Sequence, residues 1–310
     1  MNYRFSGHES FPFRYTWLPK AIRGLKENPF LFSNEDGDEA MVSLGIGKNM
    51  VRSMRFWVQA TGMAASGDDG SLKPSALGKI LFKDAGLDPF LEDIQTLWVL
   101  HWNIATQKEE PLFAWRFLLN DWQESEFAEQ GVLRAFEREA QRLARKLSSV
   151  TLKQHFEVFL HTYIPTRGKK AEILEDNLDC PLTELELITI VGERDLGGHR
   201  REVVYAFRRE EKPAITTELF SWALNDFWEK MHPNEKTLPV AVVATGVGSP
   251  GQIFKIPEAD VMARLADIES VTNGAFSYQE SSALPQMHRE RQIDAFALLD
   301  AAFKRRFAHV

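Results

Sequence analysis

Three stretches of this chain place reactive or charged side chains at spacings that could do chemistry. The first is "ERDLGGHRREVVYAFRRE", which sets Glu193, Asp195, His199, Arg200 and Arg201 around a Gly197-Gly198 turn. Cutting a phosphodiester with a divalent cation needs two or three carboxylates on one ion and a group such as His to serve the leaving oxygen. Glu193 and Asp195 are therefore the candidate ligands for Mg2+ or Mn2+, and His199 the candidate proton carrier. A Gly-Gly hairpin with charged flanks is also an ordinary surface turn. The second stretch, "SGHESFPFRYTW", concentrates His8, Glu9 and Arg14 among aromatic residues. In a loop, His8 and Glu9 can serve as acid and base or as two metal ligands. The plainer reading is a polar knot in which Glu9 pairs with Arg14 while Phe11, Phe13, Tyr15 and Trp17 anchor the N-terminal segment.

The third stretch is "SLGIGKNMVRSMRFW". At helical spacing Lys48, Arg52, Arg55 and Gln59 share one face, and Met50, Met54, Trp57 and Val58 share another. One side is dry and the other cationic. Asn49 at the helix start can meet an adenine edge or a phosphate, and Arg52 and Arg55 can meet guanine edges or phosphates. With Arg14 these form the candidate DNA-contact set. Phosphate contact is favoured over base reading, because the sequence shows basic charge without a groove register. A solvated helix face is the plain alternative.

The elements that must hold these residues can be read in order. Phe32 to Phe82 suggests a cap at Ser33 or Asn34, a short helix over 38–44, a Gly45-Ile46-Gly47 turn, the cationic helix, a polar tip at Gly67 to Gly70 and a returning segment. That is the layout of a winged helix-turn-helix. From Asp88 to about Ser149 the pattern is helical, with Asp93 and His101 on one core helix and Pro111 as a separator. Val203, Tyr205 and Phe207 alternate as in a strand. Beyond these lie an amphipathic helix "TELFSWALNDFWEKM", a Gly-Pro tip at 248–251, a helix "PEADVMARLADIESVT", a strand "AFSYQES" and a last helix, which together suggest a second winged-helix-like unit. The expected fold is α+β and mostly helical. The expected domains are 1–87 (DNA-binding), 88–212 (central, helical) and 213–310 (winged-helix-like).

Composition narrows the function classes. A chain of 310 residues, 44% hydrophobic and 26% charged, is that of a soluble globular protein. Its net charge of −7 argues against coating nucleic acid with the whole surface and leaves room for a local basic patch. The single cysteine, Cys180, excludes an intramolecular disulfide framework and fits a reducing compartment. Its neighbours offer no base, so a packed thiol is expected. The N-terminal segment is unlike a signal peptide, and no run approaches the ~20 apolar residues of a membrane helix, so a cytoplasmic location is expected. Phosphate-loop, nucleophile-elbow, H-E-x-x-H and paired C-x-x-C motifs are lacking, which removes the best-known ATPase, hydrolase, zinc protease and zinc ribbon explanations.

The segments "FSGHESFPFRYTWLPKA", "SLGIGKNMVRSMRFWVQATGM", "DPFLEDIQTLWVLHW" and "GSPGQIFKI" together resemble a bacterial defence-island domain family of unknown function and the B-component family of the Ssp DNA phosphorothioation system. The resemblance spans most of the chain. It implies a protein that binds double-stranded DNA and nicks it, so that partners can replace a backbone oxygen with sulfur. The implied partners are a cysteine desulfurase, an ATPase and a sulfur-transfer protein, and a homodimer is left open. The nicking activity rests on the resemblance alone. A noncatalytic DNA-binding regulator or scaffold is the competing expectation.

Overall fold

A computed structural model describes residues 2–33, 38–165, 180–198, 200–280 and 284–305. The chain divides into two units, Met1–Leu118 with Trp122–Arg208, and Leu119–Asp121 with Arg209–Val310. Residues 88–208, apart from 119–121, thus share a unit with the N-terminal segment.

In unit 1, α1 (Trp17–Glu27) buries Trp17, Leu18, Ala21, Ile22 and Leu25, a stripe at i, i+1, i+4, i+5 and i+8. Helix α2 (Asp38–Leu44) carries Asp38 and Glu39 in its first turn, where the helix dipole favours carboxylates. It ends at Gly45, whose φ of +67° lets the N–H of Ile46 close back on Met41 O. Helix α3 (Lys48–Ala60) follows, then the antiparallel pair β1 (Ala64–Ser66) and β2 (Leu72–Pro74), with Ala64 opposite Pro74. Ser75 caps α4 (Ala76–Phe82) by accepting the N–H of Gly78 at 2.9 Å. The expected helix 38–44, the turn after it, the cationic helix that follows and the polar tip lie where the sequence placed them, while Asn34 falls outside the described residues.

Helix α5 (Ile94–Thr106), capped by Asp93, is buried along nearly its whole length. Helix α6 (Phe113–Arg116) runs into a π-helical turn over Phe117–Asp121. Strand β3 (Glu126–Ala128), α7 (Glu129–Arg142), α8 (Ser149–Tyr163), a 3-10 turn over Pro181–Leu185, β4 (Ile188–Asp195) and β5 (Arg201–Phe207) complete the unit. The central region is therefore not only helical. It contains a three-stranded antiparallel sheet in the order β3-β5-β4, with a bulge between Ile190 and Gly192. Aromatic packing of Phe127 on Tyr205 and Phe207, at 5.6 and 5.1 Å between centroids, holds the short β3 to it.

Unit 2 holds α9 (Thr217–Met231), β6 (Thr237–Pro239), α10 (Val240–Thr245), α11 (Pro250–Ile253), α12 (Glu258–Ala266), α13 (Ile268–Val271), β7 (Phe276–Gln279), β8 (Gln286–Arg289) and α14 (Ala295–Arg305). Its sheet order is β6-β8-β7, so the last strand lies between the first two. Leu119–Asp121 of the π-turn belong to this unit: Leu119 O accepts both Lys255 Nζ and Gln252 Nε2 at 2.7 Å, and Asn120 Oδ1 accepts the N–H of Gly248 at 2.6 Å. A π-turn frees a backbone carbonyl from the helical ladder, and two side chains of unit 2 satisfy it. Burial, and then the charge of Arg209, push the Lys255 amine down to about 7. Among the described residues no helix is long and apolar enough to cross a membrane.

Candidate nucleic-acid interface

Helix α3 separates its two faces as its spacing demands. Val51, Ser53, Met54, Phe56, Trp57 and Val58 are buried, whereas Asn49, Arg52 and Arg55 are exposed. The buried side is bonded to the N-terminal segment. Ser53 Oγ donates to His8 O at 2.9 Å, Trp57 Nε1 donates to Phe11 O at 2.8 Å, and the Arg4 guanidinium lies 4.5 Å from the centre of the Phe56 ring. Gly7, at φ +106°, permits this approach, since a Cβ there would meet the Phe56 ring at 2.9 Å. The segment "SGHESF" thus acts as a brace for α3.

Along the exposed side the basic residues differ in role. Arg55 donates to Phe32 O at 2.8 Å, and Gln59 donates to Ser66 Oγ at 3.0 Å, so both tie α3 to its own unit. Arg52 and Asn49 hold no partner among the described residues and face solvent. The helix starts at Gly47 without a side-chain cap and with no acidic residue in its first turn. Its first N–H groups and Lys48 together favour an anion, where a carboxylate would have competed for them. The hairpin tip is different, because Asp68 and Asp69 put carboxylates on it and Asp69 is held by Ser71 and Lys73.

His8 and Glu9 do not form an acid–base pair. His8 is 4% exposed, and its Nε2 lies 3.2 Å from Nδ1 of the fully buried His155, the rings stacked at 15°. His155 Nε2 accepts the N–H of Ala114 at 3.0 Å, and His8 Nδ1 accepts the N–H of Ser10 at 3.2 Å. A charged imidazole has no acceptor nitrogen, so protonating either ring would set two N–H groups face to face. Burial and the charge of Arg4 hold His8 down to about 4, and burial with the neighbouring His8 holds His155 well below the ordinary imidazole range. Glu9 points away, exposed, with Glu9 and Ser10 in the left-handed region at φ +50° and +62°. Nor does Glu9 pair with Arg14, whose guanidinium lies over Trp17 at 5.8 Å. The knot exists, but its polar centre is a histidine pair whose members stand 147 residues apart in the chain.

Glu193 and Asp195 share one face of β4, two residues apart. Each is engaged within its own hairpin: Arg201 donates to Glu193 Oε2 at 3.2 Å, and Asp195 Oδ1 accepts the N–H of Gly197 at 2.8 Å. His199 lies outside the described residues. Among the described residues no group of three His, Cys, Asp or Glu gathers to hold a metal. The carboxylates present therefore do not by themselves form a coordination shell for Mg2+ or Mn2+. Cys180 is buried, its Sγ donating to Thr162 O at 3.2 Å, as a packed thiol should be.

The assembly so described is an α+β protein of two units, one of which offers a cationic, braced helix to solvent. By its sequence the chain belongs to the family described as a protein of unknown function, DUF4007, whose family model matches residues 5–303. Two solved structures share its fold. One, described as the crystal structure of magnesium ion-bound SspB, matches with a TM-score of 0.81 at 24% identity over 97% of this chain and 87% of that one. The other, described as the SspB crystal structure, matches with a TM-score of 0.78 at the same identity and coverage. No curated protein matches the chain in sequence.

Proposed function

We propose that this protein binds duplex DNA through α3 and nicks it on behalf of a DNA phosphorothioation system, as an SspB-type component of antiphage defence. The observation that carries the reading is the full-length likeness in fold to SspB. The DNA contact is supported by Arg52 and Asn49, which face solvent on a helix braced from behind. In this reading residues 1–87 form a winged helix with α3 as the groove-facing helix and β1–β2 as the wing. Residues 213–310 repeat the theme, since the strand order β6-β8-β7 with α10 and α12 between β6 and β7 suits a winged helix. Lys48, Arg14 and Arg55 are the further candidates for the contact, with phosphates as their targets. The metal is Mg2+ or Mn2+, a choice supported by the magnesium-bound SspB structure. Glu193 and Asp195 are the carboxylates to test first as its ligands, with His199 as the companion histidine and Glu9 as the alternative carboxylate; His8 is held in the buried histidine pair. Sulfur and ATP chemistry fall to partners, namely a cysteine desulfurase, an ATPase and a sulfur-transfer protein.

A second reading, a noncatalytic DNA-binding scaffold, is favoured by the lack of a converged metal-ligand group among the described residues. Supercoiled plasmid distinguishes the two. Open circles that form with magnesium or manganese and not with chelator support the nickase, and are expected to persist in Cys180→Ser. Retarded but uncut plasmid under every metal supports the scaffold. Plasmid neither retarded nor cut overturns both.

A further inference from the structure

Unit 1 carries a groove of about 580 Å³ between α1 on one side and β2 with α4 on the other. Its inner wall is apolar: the half-buried Pro29 and Pro74 and the stems of the flanking lysines give its accessible surface, over the buried Ile22, Leu25 and Phe82. Its rim is basic: Arg23 and Lys26 on α1, Lys73 on β2, and Lys79 and Lys83 on and after α4, against the one carboxylate of Asp84. Asp84 meets Lys26 at 3.4 Å and Asp69 meets Lys73 at 3.9 Å, both pairs well exposed and therefore weak. Lys79 and Lys83 have no carboxylate partner among the described residues. A chain of net charge −7 thus gathers five cations around one apolar cleft.

We propose that this groove docks an acidic amphipathic helix of a partner protein, its apolar side chains entering the cleft and its carboxylates meeting the basic rim. Charge complementarity requires an anionic occupant, and the wall decides which kind. A nucleic acid presents phosphates outward and needs exposed rings on which bases stack, whereas the Phe82 ring is fully buried and the rest of the wall is aliphatic or proline. An amphipathic helix presents apolar anchors with acidic flanks, the pattern this cleft complements. The inference does not depend on DNA cleavage, because its residues are separate from those of the α3 face.

The test uses the full chain and three labelled probes: a synthetic helix of ~18 residues with Leu at i, i+4, i+7 and i+11 among Glu and Ala, a scrambled peptide of the same composition, and a single-stranded oligonucleotide. The amphipathic peptide is expected to bind at least tenfold tighter than the scramble. Its affinity should fall at least tenfold in the double variant Lys79→Glu, Lys83→Glu and stay unchanged in Arg52→Glu, while duplex DNA binding shows the reverse. Equal binding of the two peptides overturns the proposal, as does a double variant that binds the peptide like the parent. If the double variant instead loses the oligonucleotide, the groove is a nucleic-acid site and the peptide assignment is wrong.

Discussion

Helices α3 and α12 each follow a short helix and lead to a hairpin, in unit 1 directly and in unit 2 through the single turn of α13, yet they treat their charges in opposite ways. Helix α3 turns Asn49 and Arg52 to solvent and starts without a carboxylate. Helix α12 starts with Glu258 and Asp260 in its first turn, and its only basic residue, Arg264, is buried. That guanidinium is fully employed: Asp260 Oδ1 accepts from Nε at 3.1 Å, Lys212 O accepts at 3.0 Å, and Ile215 O accepts as well. Charge that is bonded inside a unit holds the unit together and is lost to a ligand. Charge that is exposed without a partner adds little stability and remains available for phosphate. The same order of elements can therefore serve an interface in one unit and structure alone in the other.

The largest effect should come from breaking the employed arginine. Arg264→Ala leaves the half-shielded Asp260 and two buried carbonyls without their donor, and losing one partner of a buried ion pair costs about 3–5 kcal/mol. Urea unfolding should show that loss, while duplex binding by the folded protein is unchanged. If binding falls with it at equal folded fraction, α12 belongs to the interface and the contrast between the helices fails.

The brace behind α3 gives the next effect. His8 titrates near 4 in the folded state against about 6.5 when unfolded, so the unfolded chain takes up the proton first. Stability is then complete above pH 6.5 and declines as pH falls towards 4. A shift of that size amounts to roughly 3–4 kcal/mol at most, since each pH unit carries ~1.4 kcal/mol. Carboxylates titrate in the same range, so the readout is the difference between the parent and His155→Gln. The parent should show the steeper decline, and parallel pH profiles would refute the pair's role.

How much of this was legible follows from the range of each interaction. Helices α2, α3 and α9 could be read because period and caps are local signals. Strands β3, β6 and β8 could not, because three or four residues show no period and their partners are distant, as with Phe127 opposite Tyr205. Glu193 and Asp195 were seen as a turn cluster, while the strand β4 that carries them was hidden by its bulge and its Gly192. The His8–His155 contact had only an indirect signal, namely two histidines in apolar aromatic surroundings with no local partner. Lys255 had a clearer one, a lone lysine inside "GQIFKI", and its value lies in the π-turn it satisfies.

Arg52→Ala should weaken duplex binding with little regard to sequence and flatten the salt dependence by about one unit of slope, because one phosphate contact and its released counterion are lost. Folding stability should be unchanged, since Arg52 has no partner to abandon. An unaltered slope in a folded variant would remove α3 from the interface.

The smallest effect separates Arg55 from Arg52, although the two look equivalent in sequence. Arg55 donates to Phe32 O at 2.8 Å, so Arg55→Ala should cost about 1 kcal/mol of stability, the worth of one partly shielded hydrogen bond. One guanidinium nitrogen is held by that carbonyl, and the others remain able to meet a phosphate. Arg55→Ala should accordingly lower both stability and salt slope, whereas Arg52→Ala lowers the slope alone. Arg55→Lys discriminates further: an ammonium keeps the charge that phosphate needs and loses the planar fork that holds Phe32 O in place. It should restore the slope and leave the stability deficit. Restoration of both would show that the carbonyl contact contributes nothing, and restoration of neither would place Arg55 in a geometry-dependent contact with a base.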